Sequence, residues 1–137
     1  FSWLGINDGH HSLSHSADSD TTGAGNYIAC ERWFAEQFLY MVQRMKELED
    51  PETGGSLFDN TLILWAQEMG DGRQHVCTDV PFILAGSAGG YFKTGQFLDF
   101  GGVYHNRLLV SVANALGFDV ETFGDPDGGM GALEGLR

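Results

Sequence analysis

Between Tyr27 and Leu48 the apolar residues Tyr27, Cys30, Phe34, Phe38, Met41, Met45 and Leu48 recur in steps of three and four, and Ala35, Leu39 and Val42 widen the stripe. That period belongs to an α-helix with one side turned to a core, and it limits the fold more than any other feature of the chain. The opposite side carries Glu31, Arg32, Glu36, Gln37, Gln43, Arg44, Lys46 and Glu47, which read as a solvated face. Pro51 and Gly54-Gly55 stop the helix. Next, Thr61–Ala66 is a continuous apolar run, too short for a helix and rich in strand formers, as expected of a strand buried on both sides. Val80–Ala85 reads as a second such strand. Pro81, which cannot donate to a ladder, puts the strand's own N-terminal end or a sheet edge there.

Phe1–Ile6 is also apolar, with a strand expected at Trp3–Ile6, and Ser12–Asn26 reads as a long polar loop. Strand, helix Tyr27–Leu48 and strand Thr61–Ala66 then make a β-α-β unit, whose crossover is right-handed and whose strands are parallel. The expected fold class is therefore α/β, a partial three-layer α/β/α sandwich with a mostly parallel sheet. Residues 1–137 suit a single domain. An apolar, strand-like start without an initiator methionine leads us to expect the C-terminal portion of a larger α/β domain, truncated at its N-terminus. Downstream, Gly86–Gly102 reads as loops with a short hairpin around Tyr91–Phe100, and Asn106–Leu116 as a second amphipathic helix ended by Gly117. The tail beyond Phe123 is expected to be poorly ordered unless it docks on the body.

Such a crossover sends two loops to one sheet edge, where ligands of open α/β sheets bind. The first loop carries Asp8, His10, His11 and His15; the second carries Gln67, Glu68, Asp71 and His75. Imidazoles with carboxylates suit zinc, manganese, iron or nickel, and the spacings Asp8-x-His10 and His11-x-x-x-His15 allow two ligands from one short segment. Two other readings stay open: histidines that cap a polar turn, and metal-free acid-base chemistry. Ser12 and Ser14 sit beside histidines, but no Gly-x-Ser-x-Gly elbow occurs and triad partners are usually distant in sequence. His105 reads as a local helix cap.

Seven Lys and Arg against nineteen Asp and Glu give a formal charge of −12, with no basic cluster, which argues against a nucleic-acid partner. No apolar run reaches the length of a membrane span. Cys30 and Cys77 form no short-spaced metal pattern.

The segments HHSLSH, SLFDNTLILWAQEMGDGRQH with VPFILAG, and the late FGD follow one another in an order that resembles the bacterial family of unknown function named for its His-x-x-Ser-His-His motif. The likeness runs from His11 through Asp125. That family in turn resembles the alkaline phosphatase and sulfatase superfamily. The resemblance implies an exported protein, periplasmic or secreted, whose missing N-terminal portion supplies the nucleophile and a first metal carboxylate. By position, Asp8 with His10 or His11 resembles one ligand group for a divalent metal and Glu68 with His75 another, so that with His15 from the converging loops the expected metal residues are Asp8, His10, His11, His15, Glu68 and His75. Ser16 stands where the motif's last histidine is expected and Cys77 where a second imidazole is expected, and the pair is expected to weaken or retune one shared site.

On these grounds the parent is expected to be a metal-dependent phosphate or sulfate ester hydrolase, this portion being inactive alone. The alternative is a non-catalytic exported binding or structural protein on the same scaffold. A domain cut from its partner half is also expected to self-associate.

Overall fold

At its N-terminus the chain closes its backbone hydrogen bonds locally. Ser2–Leu4 form one 3-10 turn, with Leu4 N–H donating to the Phe1 carbonyl at 2.9 Å and Gly5 N–H to the Ser2 carbonyl at 3.0 Å. Gly5 ends the turn at φ 74°, a left-handed conformation that costs glycine nothing. The strand expected over Trp3–Ile6 is absent, and the β-α-β crossover built on it goes with it. A strand needs a neighbour to satisfy its backbone, whereas this turn satisfies itself. The aromatic rings that suggested a strand pack instead on a helix, Phe1 at 5.6 Å from Phe34 and Trp3 at 5.1 Å from Trp33.

This computed structural model describes all 137 residues, which group into two compact units. The first comprises Phe1–Met45 and Ala66–Phe82. It holds a short helix α1, His10–Ser14, and most of a long helix α2, Thr21–Glu47. Asp20 begins α2: its carboxylate accepts the Gly23 N–H at 2.9 Å, one of the donors that a helix start leaves unpaired, and its carbonyl accepts the Ala24 N–H at 2.9 Å as the first bond of the helix. The long loop expected over Ser12–Asn26 is thus two helical pieces around a tight turn. A core of Ile6, Leu13 and Cys30, with Phe1, Tyr27 and Ala29 against it, joins α1 to α2. Farther along α2 the expected stripe is only partly covered, for Phe34, Met41 and Leu48 remain 40%, 42% and 43% exposed.

The second unit comprises Lys46–Trp65 and Ile83–Arg137. Strands β1, Ile63–Ala66, and β2, Phe82–Ala85, pair as a two-stranded sheet. Ala88 N–H donates to the Thr61 carbonyl at 3.1 Å, so the end of β2 meets the start of β1 and the pair is antiparallel. This overturns the three-layer α/β/α sandwich with a mostly parallel sheet. A parallel pair requires a crossover, usually helical, and the connection between β1 and β2 contains no helix. Nor are the strands buried on both sides: Leu64 and Ile83 face outward. Pro81 does directly precede β2, where its missing donor costs no ladder bond.

Helix α3, Asn106–Ala115, buries Leu108, Val110 and Ser111. His105 occupies its N-cap position without a side-chain capping bond. No hairpin forms over Tyr91–Phe100, but Phe92 is buried there. The glycine-rich tail docks. Arg107 donates to the carbonyls of Gly131 at 3.2 Å and Ala132 at 2.9 Å, Lys93 N–H donates to Leu136 O at 2.8 Å, and Leu133 is buried. No helix is long and apolar enough to cross a membrane.

Candidate functional site

Five residues of α1 sort the neighbouring histidines by direction. Consecutive residues on a helix point about 100° apart, whereas residues four apart lie on the same side. His10 therefore turns one way and the pair His11 and His15 another.

His10 faces α2. Its Nε2 donates to Glu31 Oε1 at 2.7 Å, and the rings of Tyr27, Phe1 and Phe34 stand 5.2, 5.8 and 5.8 Å from its own. Partial burial, with the Glu31 carboxylate and the Cys30 thiol nearby, pushes the Tyr27 phenol above its usual range. This histidine is already engaged, and Glu31, which the helical pattern assigned to the solvated face, is its partner. Placing Tyr27, Glu31 and Phe34 three and four residues apart on one side of α2 was the signal for that role.

His11 and His15 pack edge to face with ring centroids 4.8 Å apart, and His15 meets His75 at 5.0 Å, the planes nearly perpendicular at 88°. The two segments expected to converge thus do so at these three imidazoles, all within the first unit. His75 arrives on a tight loop. Asp71 and Val76 pair their backbones as an isolated bridge, and Asp71 Oδ1 accepts the N–H groups of Arg73 at 2.9 Å and Gln74 at 3.1 Å. Inside that closed loop His75 sits at φ 55°, a left-handed conformation unusual for a residue with a Cβ. Arg73 Nη1 donates to Asp18 Oδ1 at 2.7 Å across 55 residues of sequence, and this partner holds the guanidinium pKa above its ordinary value.

Around tetrahedral zinc, with each ligating nitrogen about 2.1 Å from the ion, imidazole centroids stand roughly 5 Å apart. The His11–His15 and His15–His75 spacings fit that figure. Their edge-to-face packing, however, brings no three His, Cys, Asp or Glu side chains into an arrangement that holds an ion. Ligation therefore calls for the rings to move from this packing. Exposure leaves room for that, since all three are exposed. Asp8 and Glu68 are also exposed and belong to no ready donor group. Ser16 lies beside Gly23 at the start of α2, and Cys77 is an exposed free thiol.

No family model, curated protein or solved structure matches the chain. What can be inferred of its function comes from the histidine cluster and its loop. A shallow depression of about 220 Å³ beside Asn114, Phe118, Asp119 and Arg137 contains no histidine.

Proposed function

We propose that His11, His15 and His75 form a divalent-metal site that serves a metal-dependent hydrolase of phosphate or sulfate esters. The observation that carries the metal half is the meeting of His15 with His75 at 5.0 Å, alongside a histidine pair one helical turn apart at 4.8 Å. Two imidazoles at that helical spacing present nitrogens to a common point once their rings turn, and a third from a separate loop completes a three-ligand set with an open position. An all-imidazole set favours zinc, and also iron or nickel, over magnesium or calcium. The hydrolase half rests on the resemblance of the motifs. A bound ion would activate a nucleophile and stabilise charge on the transferring group. By the same resemblance that nucleophile and a further carboxylate belong to a preceding portion of the parent. His10, already bound to Glu31, is no ligand in this reading, and Asp8 and Glu68 are secondary to the imidazoles.

Zinc titration of the chain by calorimetry, followed by chelator-sensitive hydrolysis of aryl phosphate and aryl sulfate by the parent, tests both halves. Stoichiometric zinc that is lost in His15→Ala supports the site. Full stability with no bound zinc, nickel or iron would refute the metal site and leave the histidines as an edge-to-face aromatic cluster.

A further inference from the structure

The loop that carries His75 is built with more constraints than a connection between two short strands requires. Its neck is closed by three backbone bonds: the N–H groups of Gly70 and Asp71 donate to the Val76 carbonyl at 3.0 and 3.3 Å, and Val76 N–H donates to the Asp71 carbonyl at 3.0 Å. The Asp71 carboxylate fills the interior by accepting two successive backbone N–H groups. A Cβ at Gly70 would lie 1.9 Å from the Thr78 carbonyl, so the neck admits no side chain there. The loop also touches α1 and its following turn at three places. Gly72 lies beside Ser14, where a Cβ would make an ordinary contact at 3.7 Å with the serine Cβ, His75 packs on His15, and Arg73 pairs with Asp18. A residue with φ 55° persists only where its surroundings over-determine it, and here those surroundings are the Asp71 bonds and the docked loop.

We propose that Asp71 is a positioning residue for His75, and that the Arg73–Asp18 pair latches the loop it shapes onto the turn after α1. Asp71 acts as a backbone acceptor rather than as a metal ligand. The latch is an exposed ion pair, so its own contribution is small and salt-sensitive. The carboxylate within the loop supplies the larger effect, because losing it frees two N–H groups and the conformation that aims His75. The proposal deepens the metal reading, on which only its metal readout rests.

Two variants at one position separate positioning from charge. Asp71→Asn keeps an oxygen acceptor, whereas Asp71→Ala removes it. In the zinc-free chain, proton NMR is expected to show ring-to-ring contacts between His15 and His75 in the wild type and in Asp71→Asn. Those contacts should be lost in Asp71→Ala while the His10 to Tyr27 ring contact remains, which reports that the core of the unit is intact. Arg73→Gln, a change at a half-buried side chain, should weaken the His15 to His75 contact about twofold at low salt and leave little difference at high salt. Zinc affinity should follow the same order. A wild type that shows the ring contacts but binds no zinc would refute the metal site and leave the positioning role standing. Retained contacts in Asp71→Ala would overturn the positioning role whatever the metal result. Loss of the His10 to Tyr27 contact in Asp71→Ala would also overturn it, because the carboxylate would then be supporting the whole unit.

Discussion

Ser111→Ala should loosen the C-terminal tail. The serine is 2% exposed on α3, its hydroxyl donating to the Arg107 carbonyl at 3.0 Å and accepting the Leu133 N–H at 2.9 Å. Both residues of the latter bond are buried, so alanine leaves the Leu133 N–H with no partner and no route to water. A buried donor stranded in this way costs about 1–3 kcal/mol. Alanine is the better helix former by roughly 0.5 kcal/mol, which offsets part of the loss. The net destabilisation should be about 1–2 kcal/mol, or a fall in Tm of roughly 3–8 °C for a chain of this size. Urea unfolding followed by circular dichroism would give the midpoint, and hydrogen exchange would report on the Leu133 amide directly. The midpoint should drop with little change in slope, and Leu133 should exchange faster than the amides of α3. Wild-type stability with a still-protected Leu133 amide would refute the docking of the tail through Ser111.

Four further outcomes are expected. Gly25→Ala should raise stability by about 0.4–1 kcal/mol, since it lies inside α2 with nothing within 4 Å of a new Cβ. Gly23→Ala should lower it, because a Cβ there would stand 2.3 Å from both Asp20 Oδ2 and Ser16 Oγ, and thermal melts of the two variants would separate them. The Asp50 carboxyl is held below its ordinary 3.8 chiefly by the Glu52 N–H and then by the Asn60 amide, with desolvation opposing them and Thr53 adding to them. Its stabilising effect is fully present above about pH 4 and lost as pH falls through the lowered folded value. Urea midpoints measured from pH 5 to pH 2 should therefore fall less steeply in Asp50→Asn than in the wild type. Finally, if the proposed site binds zinc, His11→Ala should weaken that binding about tenfold or more, whereas His10→Ala should leave it unchanged, by calorimetric titration.

Local patterns proved legible and pairing did not. The period from Tyr27 onward marks a real helix, Pro81 marks the start of β2, and the Leu108 to Leu116 face marks α3. Each of these signals acts within a few residues, where backbone sterics and side-chain period decide the outcome. The start of α2 was hidden because Gly23 and Gly25 read as loop residues, although Asp20 three positions before Gly23 is a cap signal. Parallel pairing was inferred from an apolar run at Trp3–Ile6, yet such a run only says that a segment prefers to be covered. Trp3 and Phe1 meet that preference through ring contacts on α2. The convergence of His15 and His75 was expected at a parallel sheet edge, and it occurs by a different route, through a self-bonded loop docked on α1. His10 could not be separated from its neighbours until the helical turn at α1 was known. Residues that read alike in a loop diverge by about 100° per step on a helix.

The first unit is assembled from two stretches of chain, Phe1–Met45 and Ala66–Phe82, and its two cysteines, Cys30 and Cys77, are free thiols. An ion shared by α1 and the His75 loop would therefore be a removable clip across about 60 residues, doing the work of a disulfide without one. Ion supply would then govern the cohesion of the unit as well as its chemistry. A chelator would act as a denaturant of that unit alone, opening it between two segments that the backbone joins only the long way round.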